Sequence, residues 1–596
     1  MRIKSSVAVI AVAAAFLWMN ISAFAQAVPV KLVQKDGKWQ LERGGKPFYV
    51  KGAAGGGPQK MLADVGGNTN RTWDSGPGIK NVMDEAQKLG ITIIPGIWVG
   101  QVRQNFNWKD AAAVQTQVKR AQEQVKLWKD HPATLVWGIG NEMEADDNED
   151  VWKGIELIAK AVKEIDTNHP TMTVIAEVGG KKIEQLHKLC PSIDIVGINT
   201  YGGVSSMPER YRKAGGTKPY MITEYGPCGV WELGKNKFGA VDEWTSTFKG
   251  DWYAKAYEAL AKDDKLCLGS VAFTWGWKME ATMTWFGMLL PDNSRLEAVD
   301  RLAALWGKPV ANKCPQIEKI VVDGADTVKP EGTIKASVKA TDPENDPISY
   351  EWMLADETMN FAVGGDAQEA PPTYEGAIVN SSKDGKVEVK MPVGGGLYRL
   401  YVIARDGKGG AATANAILKV DGPIVPPKAQ KIKAPVTFIG GDGARQLWIP
   451  SGYMGDHGNI KMEASADQPH SGSECLKVSY SRGGAGWGGV MWQHPANDWG
   501  RQPGGFDLTG AKKLVFWARG SEGNETVTFG FGGLKASNEV KFPDSSGEEN
   551  KMTLTKEWKE FSIDLSGKDL TRIKTGFKWI VGGGNATFYI DDVHYE

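Results

Sequence analysis

The feature of this sequence that most constrains its fold is an alternation of short apolar runs with amphipathic segments between residues 47 and 311. Most of the runs are continuously apolar, as parallel strands covered on both faces are. The segments between them, such as GIKNVMDEAQKLG and EDVWKGIELIAKAVKEID, place apolar residues at the spacing of one helix face. We expect eight strands, at 48–56, 68–73, 91–100, 134–142, 173–180, 193–202, 220–226 and 270–277.

Eight strands that alternate with helices over about 265 residues have the size and order of a (β/α)8 barrel, or TIM barrel. A doubly wound open sheet is the main alternative. It fits less well, because no G-x-G-x-x-G turn follows the first strand. The pattern therefore favours the barrel.

Beyond residue 313 the pattern changes to an alternation of apolar and polar residues, which is typical of half-buried strands. A proline-rich stretch, DGPIVPPKAQKIKAP, indicates a semi-rigid linker. The fold class that we predict is multidomain, with a (β/α)8 TIM barrel followed by two all-β sandwich domains. The predicted segments are a signal peptide at 1–27, the barrel at 28–312, a sandwich at 313–421, the linker at 422–435 and a second sandwich at 436–596.

The first 27 residues predict export. Arg2 and Lys4 precede an apolar run, and an A-x-A site follows with cleavage near Ala25 or Ala27. We therefore expect a secreted or periplasmic protein. No later run is long and apolar enough to span a bilayer, so we expect no membrane span. The formal net charge of -1 lacks the basic excess of a nucleic-acid-binding domain, and we expect no nucleic-acid partner.

The five cysteines are sparse and lack the spacing of a zinc site. Export permits disulfides. In a barrel, Cys267 and Cys314 would both lie near the lower rim, so this pair is the disulfide that we expect.

Two carboxylates fall at the ends of predicted barrel strands. Glu142 ends the fourth strand in WGIGNE, and Glu224 ends the seventh in MITEYG. The carboxyl ends of the strands line the mouth of a (β/α)8 barrel, so the two side chains are expected to face each other there. Glycoside cleavage needs such a pair, one protonated and one ionised. The other polar and aromatic residues at strand ends are Arg71, Trp73, Trp98, Asn141, Glu177, Asn199, Tyr201, Trp275 and Trp277.

The segments WGIGNE and MITEYG resemble the hallmark segments of the retaining β-glycosidases of clan GH-A. GKPFYVKG and GGNTNRTW are similar to the openings of such barrels, in family 2 enzymes and in β-1,3-glucanosyltransferases. The resemblance covers residues 47–311. It implies that Glu142 is the acid/base and Glu224 the nucleophile, with carboxyl groups about 5–5.5 Å apart. It also implies substrate-site roles for five residues: Asn141 on the sugar 2-OH, Tyr201 orienting Glu224, Arg71 holding Glu224 ionised, and Trp275 or Trp277 under the reacting sugar.

Other residues of the barrel leave two interpretations open. Trp73, Trp98, Trp231 and Trp285 are candidates to stack on sugars, and core or rim packing is the equal alternative. For Glu177 a salt bridge is favoured over a contact with the substrate.

The two β domains also resemble known modules. ATDPENDPISYEW is similar to Ig-like modules of the polycystic kidney disease and cadherin type. Its Asp342, Glu344 and Asp346 form either a calcium site or an acidic turn, and the turn is favoured. FDLTGAKKLVFWARG and FYIDDVHY resemble a carbohydrate-binding jelly roll. This resemblance implies a sugar platform among Trp487, Trp492 and Trp499, and a structural calcium at Asp591 or Asp592.

The function that we expect is that of an exported retaining β-glycoside hydrolase acting on a polysaccharide, with β-glucan as our guess. No cofactor is expected for catalysis. A first alternative is a transglycosylase, such as a β-glucanosyltransferase, that uses the same residues. A second is a non-catalytic carbohydrate-binding surface protein.

Overall fold

The computed structural model describes most of the chain. The described residues are 27–104, 106–143, 148–358, 361, 365–366, 368, 370–374, 376–423, 428–440, 444–537, 540 and 542–596. The predicted signal peptide, apart from residue 27, lies outside them, as do residues 424–427 of the predicted linker. Two compact units divide the chain, one ending at Gly422 and the other beginning at Pro423.

The first unit begins its main sheet at Val50. The strands of this sheet are Val50–Ala54, Thr69–Arg71, Thr92–Ile94, Gly96–Ile97, Trp137–Ile139, Thr171–Ala176, Ile195–Asn199, Tyr220–Tyr225 and Cys267–Phe273. Thr92–Ile94 and Gly96–Ile97 are two pieces of one strand. They are separated by Pro95, which lacks the N–H needed to continue the ladder. The two pieces form the two ends of the sheet order, and all pairs are parallel, so the sheet closes into an eight-stranded barrel.

Helices follow the strands around this barrel. Those of the described residues are Gln59–Asp64, Lys80–Leu89, Ala111–Trp128, Glu149–Ile165, Lys182–Leu189, Met207–Lys213, Ser246–Ala261 and Glu297–Trp306. The predicted (β/α)8 fold is confirmed. None of the described helices is both long enough and apolar enough to cross a membrane.

The lower end of the barrel is closed by a three-stranded antiparallel sheet that the sequence pattern did not predict. Its strands are Val30–Lys35, Lys38–Arg43 and Lys46–Phe48. Leu41 is fully buried in one apolar cluster with Val50, Met172 and Met221 from the barrel interior. Because this end is filled, the open end is the one where the strands finish.

A β-sandwich follows within the same unit. Its strands are Gln316–Ile317, Val321–Asp323, Thr327–Val328, Thr333–Ser337, Ala340–Thr341, Ser349–Asp356, Ile378–Ser381, Lys386–Lys390, Gly396–Arg405 and Ala411–Val420. They form two four-stranded sheets and a two-stranded ladder. In the acidic turn, Asp346 accepts hydrogen bonds from Lys408 and Asn312, both within 2.7 Å. These contacts match the interpretation as a turn.

The second unit is also built of antiparallel sheets. Its strands are Gln430–Lys431, Val436–Ile439, Ile449–Gly455, Ile460–Ser465, Cys475–Tyr480, Trp487–Gln493, Phe506–Asp507, Lys513–Gly520, Thr526–Phe531, Glu548–Thr553, Lys559–Asp564, Thr575–Gly582 and Ala586–Tyr595. A six-stranded sheet and a five-stranded sheet enclose a core rich in aromatic residues. The predicted fold class, a barrel followed by all-β domains, is therefore confirmed.

Two sequence predictions in these domains are wrong. All five cysteines are buried free thiols, so Cys267 and Cys314 form no disulfide. The Cys314 thiol instead donates to the Arg295 carbonyl oxygen. Trp492 packs in the core of the second unit, edge-on to Phe577 and only 3% exposed, which leaves no face for a sugar.

Other predicted residues of the second unit have surroundings that agree with more than one role. Trp487 is 39% exposed and Trp499 is partly buried, so both stay candidates for a sugar platform. The Asp591 carboxylate accepts backbone N–H bonds from His470 and Ser471. Among the described residues, no three His, Cys, Asp or Glu side chains form a metal-binding group. Calcium at Asp591 or Asp592 stays a prediction.

Candidate active site

Glu224 lies near the end of the strand Tyr220–Tyr225 and points into the barrel mouth. Its Oε1 atom accepts from Arg71 Nη1 at 2.8 Å and from Trp73 Nε1 at 3.0 Å. Its Oε2 atom accepts from the Tyr201 hydroxyl at 2.8 Å. Three donors, one of them a guanidinium, give this carboxylate a charge-assisted hydrogen bond and fix its orientation. These residues come from the second, sixth and seventh barrel strands or the positions that follow them.

Glu142 has different surroundings. Gly140, with φ +74°, ends the strand Trp137–Ile139, and Glu142 follows with φ +49°, in the left-handed region that non-glycine residues seldom adopt. Its side chain accepts a hydrogen bond from Asn199 Nδ2, at 3.2 Å from Oε1. Burial and the nearby negative charge of Glu224 raise the pKa of Glu142 to about 7. Glu142 therefore keeps a proton up to neutral pH.

Hydrogen bonds connect the surroundings of the two carboxylates. Arg71 donates from Nη1 to Glu224 and from Nη2 to Asn141 Oδ1, at 2.8 and 2.7 Å. Asn199 donates to the same Asn141 oxygen and to Glu142, at 3.2 Å each. Because both neighbours bind Oδ1, the Nδ2 group of Asn141 is the part that can donate to a substrate hydroxyl. Gln101 also holds Asn141, by a 2.7 Å bond to its carbonyl oxygen.

Both carboxylates line one cavity of about 870 Å³ at the barrel mouth. This volume lies in the range of small-molecule sites and is large enough for more than one sugar ring. The structure brings together Glu142, Glu224, Asn141, Tyr201, Trp275 and Trp277 in this lining, with Arg71 directly behind Glu224. The further aromatic residues of the lining are Trp73, Trp98, Trp231 and Phe273.

The tryptophans of the cavity differ in how much ring they expose. Trp275 is 1% exposed and donates to the Pro58 carbonyl oxygen at 3.1 Å. Trp277 is 41% exposed, and its bond to the Met283 carbonyl oxygen at 2.8 Å fixes the ring. Trp231 is 65% exposed. Trp277 and Trp231 therefore offer the larger faces for stacking on a sugar, whereas Trp285 is 2% exposed and belongs to the core.

Charged groups of the cavity are mostly acidic. Of the described lining residues, six are carboxylates and two are cations: Glu142, Glu177, Glu224, Glu232, Glu280 and Asp366 against Arg103 and Lys278. Each cation has an acidic partner, since Arg103 pairs with Asp366 at 3.2 Å and Lys278 with Glu280 at 2.6 Å. Glu177 is bound by Arg210 and Thr200, which agrees with the salt-bridge interpretation.

Four residues of the site were not predicted in these roles. The position of Asn199 at the end of the sixth strand indicated the mouth of the barrel, but its bridging role needed coordinates. No local signal marks Gln101, which reaches Asn141 from a loop. Gly365 and Asp366 belong to the sandwich, so nothing in the barrel pattern pointed to them. The acidic residues Glu144, Asp146 and Asp147, which follow Glu142 in the sequence and are candidates to line the cleft, lie outside the described residues.

Comparison with known protein families finds one similarity within the barrel. Residues 77–259 match the family model of the glycosyl hydrolases family 2 TIM barrel domain. This segment contains both Glu142 and Glu224.

Among solved structures, this chain is similar to β-glucuronidase from Ruminococcus gnavus. The complex with uronic deoxynojirimycin is 16% identical, with a TM-score of 0.38, and the match covers 46% of this chain and 52% of that chain. A crystal structure of the same enzyme is 17% identical, with a TM-score of 0.38, over 47% and 53% of the two chains. This chain thus spans about half the length of that protein. The search of curated proteins finds no match.

Proposed function

We propose that this protein is a retaining β-glycoside hydrolase in which Glu224 is the nucleophile and Glu142 the acid/base. The observation that carries the proposal is the contrast between two carboxylates in one cavity. Glu224 accepts three hydrogen bonds, including one from Arg71, whereas burial and the charge of Glu224 raise the pKa of Glu142 to about 7. A pair with one ionised and one protonated member is what double displacement at a sugar requires.

In the first step, a Glu224 oxygen attacks the anomeric carbon while Glu142 gives its proton to the departing glycosidic oxygen. The bond from carbon to the leaving oxygen breaks as the ester to Glu224 forms. The Tyr201 hydroxyl and Trp73 indole hold the attacking carboxylate in one orientation. Asn141, fixed by Arg71 and Asn199, donates from Nδ2 to the sugar 2-OH. Such hydrogen bonds strengthen as positive charge develops on the sugar.

In the second step, Glu142 is ionised and takes a proton from water, whose oxygen attacks the anomeric carbon from the face that the leaving group vacated. The ester bond to Glu224 breaks. The Glu224 carboxylate then returns to its three donors. Two inversions leave the product with the starting configuration.

Charge favours neutral sugars as substrates. An anionic sugar would enter a cavity with five carboxylates besides protonated Glu142, and the two cations of the lining already have acidic partners. Neutral sugars instead match a lining rich in exposed indole rings and hydroxyl-binding carboxylates. We propose a polysaccharide substrate, with β-glucan as the first candidate, and an exported enzyme. The second unit would bind the same polymer through Trp487 or Trp499.

The test is kinetic and uses Glu224→Gln and Glu142→Gln on a panel of β-glycans and aryl β-glycosides. Loss of the nucleophile should reduce kcat by about a thousandfold or more on every substrate. Loss of the acid/base should reduce kcat/KM similarly on glycans, but far less on aryl glycosides, because kcat/KM reports the first step and their leaving group needs no proton. Glu232→Gln, a carboxylate of the same cavity wall, is the matched control and should keep most activity.

Product analysis completes the test. We expect the first-formed product to keep the β configuration by NMR, and a slow 2-fluoro glycoside to label Glu224, detectable by mass spectrometry. Full turnover by Glu224→Gln, or an inverted product, would contradict the proposal. Longer products in the presence of excess oligosaccharide would identify the enzyme as a transglycosylase with the same residues.

A further inference from the structure

One wall of the cavity is not part of the barrel. Gly365 and Asp366, which line it, lie between the sandwich strands Ser349–Asp356 and Ile378–Ser381. The side chain of Asp366 is 53% exposed, so it faces open space as well as its barrel partner. A residue of the sandwich therefore presents a carboxylate to the same cavity as Glu142 and Glu224.

Polar contacts place this segment on the barrel mouth at three points. Asp366 pairs with Arg103 at 3.2 Å. The Gly365 carbonyl oxygen accepts from Lys278 Nζ at 3.2 Å. Gln368 accepts from the Ala281 N–H at 3.0 Å and donates to the Ala281 carbonyl oxygen at 3.4 Å. The contacts of Gly365, Asp366 and Gln368 therefore reach barrel residues that follow the third strand and the eighth strand.

An apolar contact adds to these bonds. Phe361 packs against a buried aromatic cluster that includes Tyr201, Phe273 and Phe286. Tyr201 is the residue whose hydroxyl donates to Glu224. Described residues of this part of the sandwich thus line the cavity and pack against the cluster that contains Tyr201.

The sandwich is fixed to the barrel by buried charges. Arg399 is 1% exposed and binds Glu357 through two 2.6 Å bonds and the Val241 carbonyl oxygen at 2.9 Å. Asn415 donates to Glu243 at 2.8 Å, and Glu243 also pairs with buried Lys249. Breaking such a buried network leaves uncompensated charge, so the two domains are held in one arrangement.

We propose that Asp366 is a substrate-binding residue that the sandwich supplies to the barrel, and that it sets specificity for sugars beyond the reacting ring. Its carboxylate accepts hydrogen bonds from the hydroxyl groups of a neutral sugar while Arg103 keeps it in place. Charged acceptors give strong hydrogen bonds of this kind. This inference rests on the proposed glycosidase function. It gives the sandwich a role in recognition in addition to that of a spacer.

The experiment compares full-length wild type with Asp366→Ala on two kinds of substrate. An aryl β-glycoside fills mainly the subsite of the reacting sugar, whereas oligosaccharides of increasing length occupy the neighbouring subsites. We expect KM for the longer oligosaccharides to rise by about three- to tenfold, with kcat unchanged within about twofold. The aryl glycoside should be hydrolysed at the wild-type rate. Asp366→Asn, which keeps one acceptor oxygen, should recover part of the loss.

Asp421→Ala is the matched control. Asp421 is a sandwich carboxylate in an ion pair with Lys329 at 2.7 Å and is 58% exposed, close to the exposure of Asp366, and it does not line the cavity. Its removal should leave all kinetic constants unchanged. Melting temperatures of both variants should equal that of the wild type, which separates recognition from structure.

The outcomes that overturn the inference are distinct from those that overturn the function. Equal KM for wild type and Asp366→Ala at every chain length would refute a role for Asp366 while leaving the glycosidase intact. An equal loss on the aryl glycoside, with a lower melting temperature, would refute it in favour of a structural role. An inactive wild type on all β-glycosides would refute both proposals.

Discussion

Glu142 and Glu224 carry the same chemical group, and their neighbours make them different acids. Arg71, Trp73 and Tyr201 all donate to Glu224. Glu142 accepts from an uncharged amide and faces the charge of Glu224 across the cavity. The charge on one carboxylate thus helps to keep the proton on the other.

This coupling predicts the pH dependence of activity. Because the pKa of Glu142 is about 7, and the first step needs its proton, kcat/KM on glycans should fall above pH 7, tending to tenfold per pH unit. Glu142→Gln should lose this alkaline limb when assayed on aryl glycosides with good leaving groups. An alkaline limb that persists in Glu142→Gln would assign it to another group.

The raised pKa of Glu142 also makes the stability of the folded protein depend on pH. The folded pKa of about 7 lies above the ordinary value of 4.5, so the folded state binds the proton more tightly. Stability of the wild type should therefore fall, relative to Glu142→Gln, as pH rises from 4.5 to 7, by at most about 3 kcal/mol. Urea unfolding of both proteins at several pH values measures the difference.

At the scale of residues, the sequence predicts those site residues that lie at the ends of barrel strands. Glu142, Glu224, Arg71 and Tyr201 stand at or just after strand ends, and strand ends meet at the barrel mouth. Gln101 and Asp366 reach the cavity from a loop and from another domain. Their approach depends on long-range packing, for which a single sequence carries no signal.

At the scale of single elements, one glycine determines how the barrel closes. Gly269 lies in the eighth strand opposite Val50 of the first, with φ +127°. A Cβ atom there would lie 2.3 Å from the Val50 carbonyl oxygen. The first and last strands approach this closely only because the side chain is absent.

Gly269→Ala should therefore destabilise the barrel. We expect a loss of about 2–4 kcal/mol in the free energy of unfolding, from the clash with Val50 and from the left-handed backbone. Gly179→Ala is the control, since a Cβ atom there meets nothing within 4 Å and its φ lies outside the left-handed range. Urea unfolding measures both. Similar stability of the two variants would contradict the close approach.

The strands also show why some predictions about elements failed. The run WGGVMWQ contains Trp487 and Trp492, and alternation alone leaves open which face each one occupies. In the structure, all residues from Gly488 to Gln493 are buried, because this strand lies inside its sheet between two neighbours. Trp492 is thus core, and Trp487, at the strand start, is exposed. The order of strands in a sheet is a property of the whole domain.

At the scale of the whole molecule, the chain divides after Gly422 into two compact units. The order of domains followed from the change of hydrophobic period near residue 313, since barrels and sandwiches bury their strands differently. The joining of barrel and sandwich in one unit could not be predicted in this way, because it depends on partners that are far apart in sequence, such as Glu243 of the barrel and Asn415 of the sandwich.

This division predicts the effect of ending the chain at Gly422. Hydrolysis of soluble oligosaccharides should stay within about twofold of the full-length rate, because the barrel and the sandwich remain together. If the second unit binds the polymer as we propose, hydrolysis of insoluble polysaccharide should fall by about tenfold when that unit is removed. Parallel assays on soluble and insoluble forms of one glycan measure this. Equal losses on both forms would assign the second unit a structural role instead.

The buried network of Arg399, Glu357, Glu243 and Lys249 also bears on how such a chain can change over generations. A recombination event that exchanged the sandwich alone would leave Glu243 and Lys249 of the barrel without their neighbours Arg399 and Asn415. We therefore expect barrel and sandwich to be inherited together in related proteins. Substitutions on the two sides of their boundary should occur together.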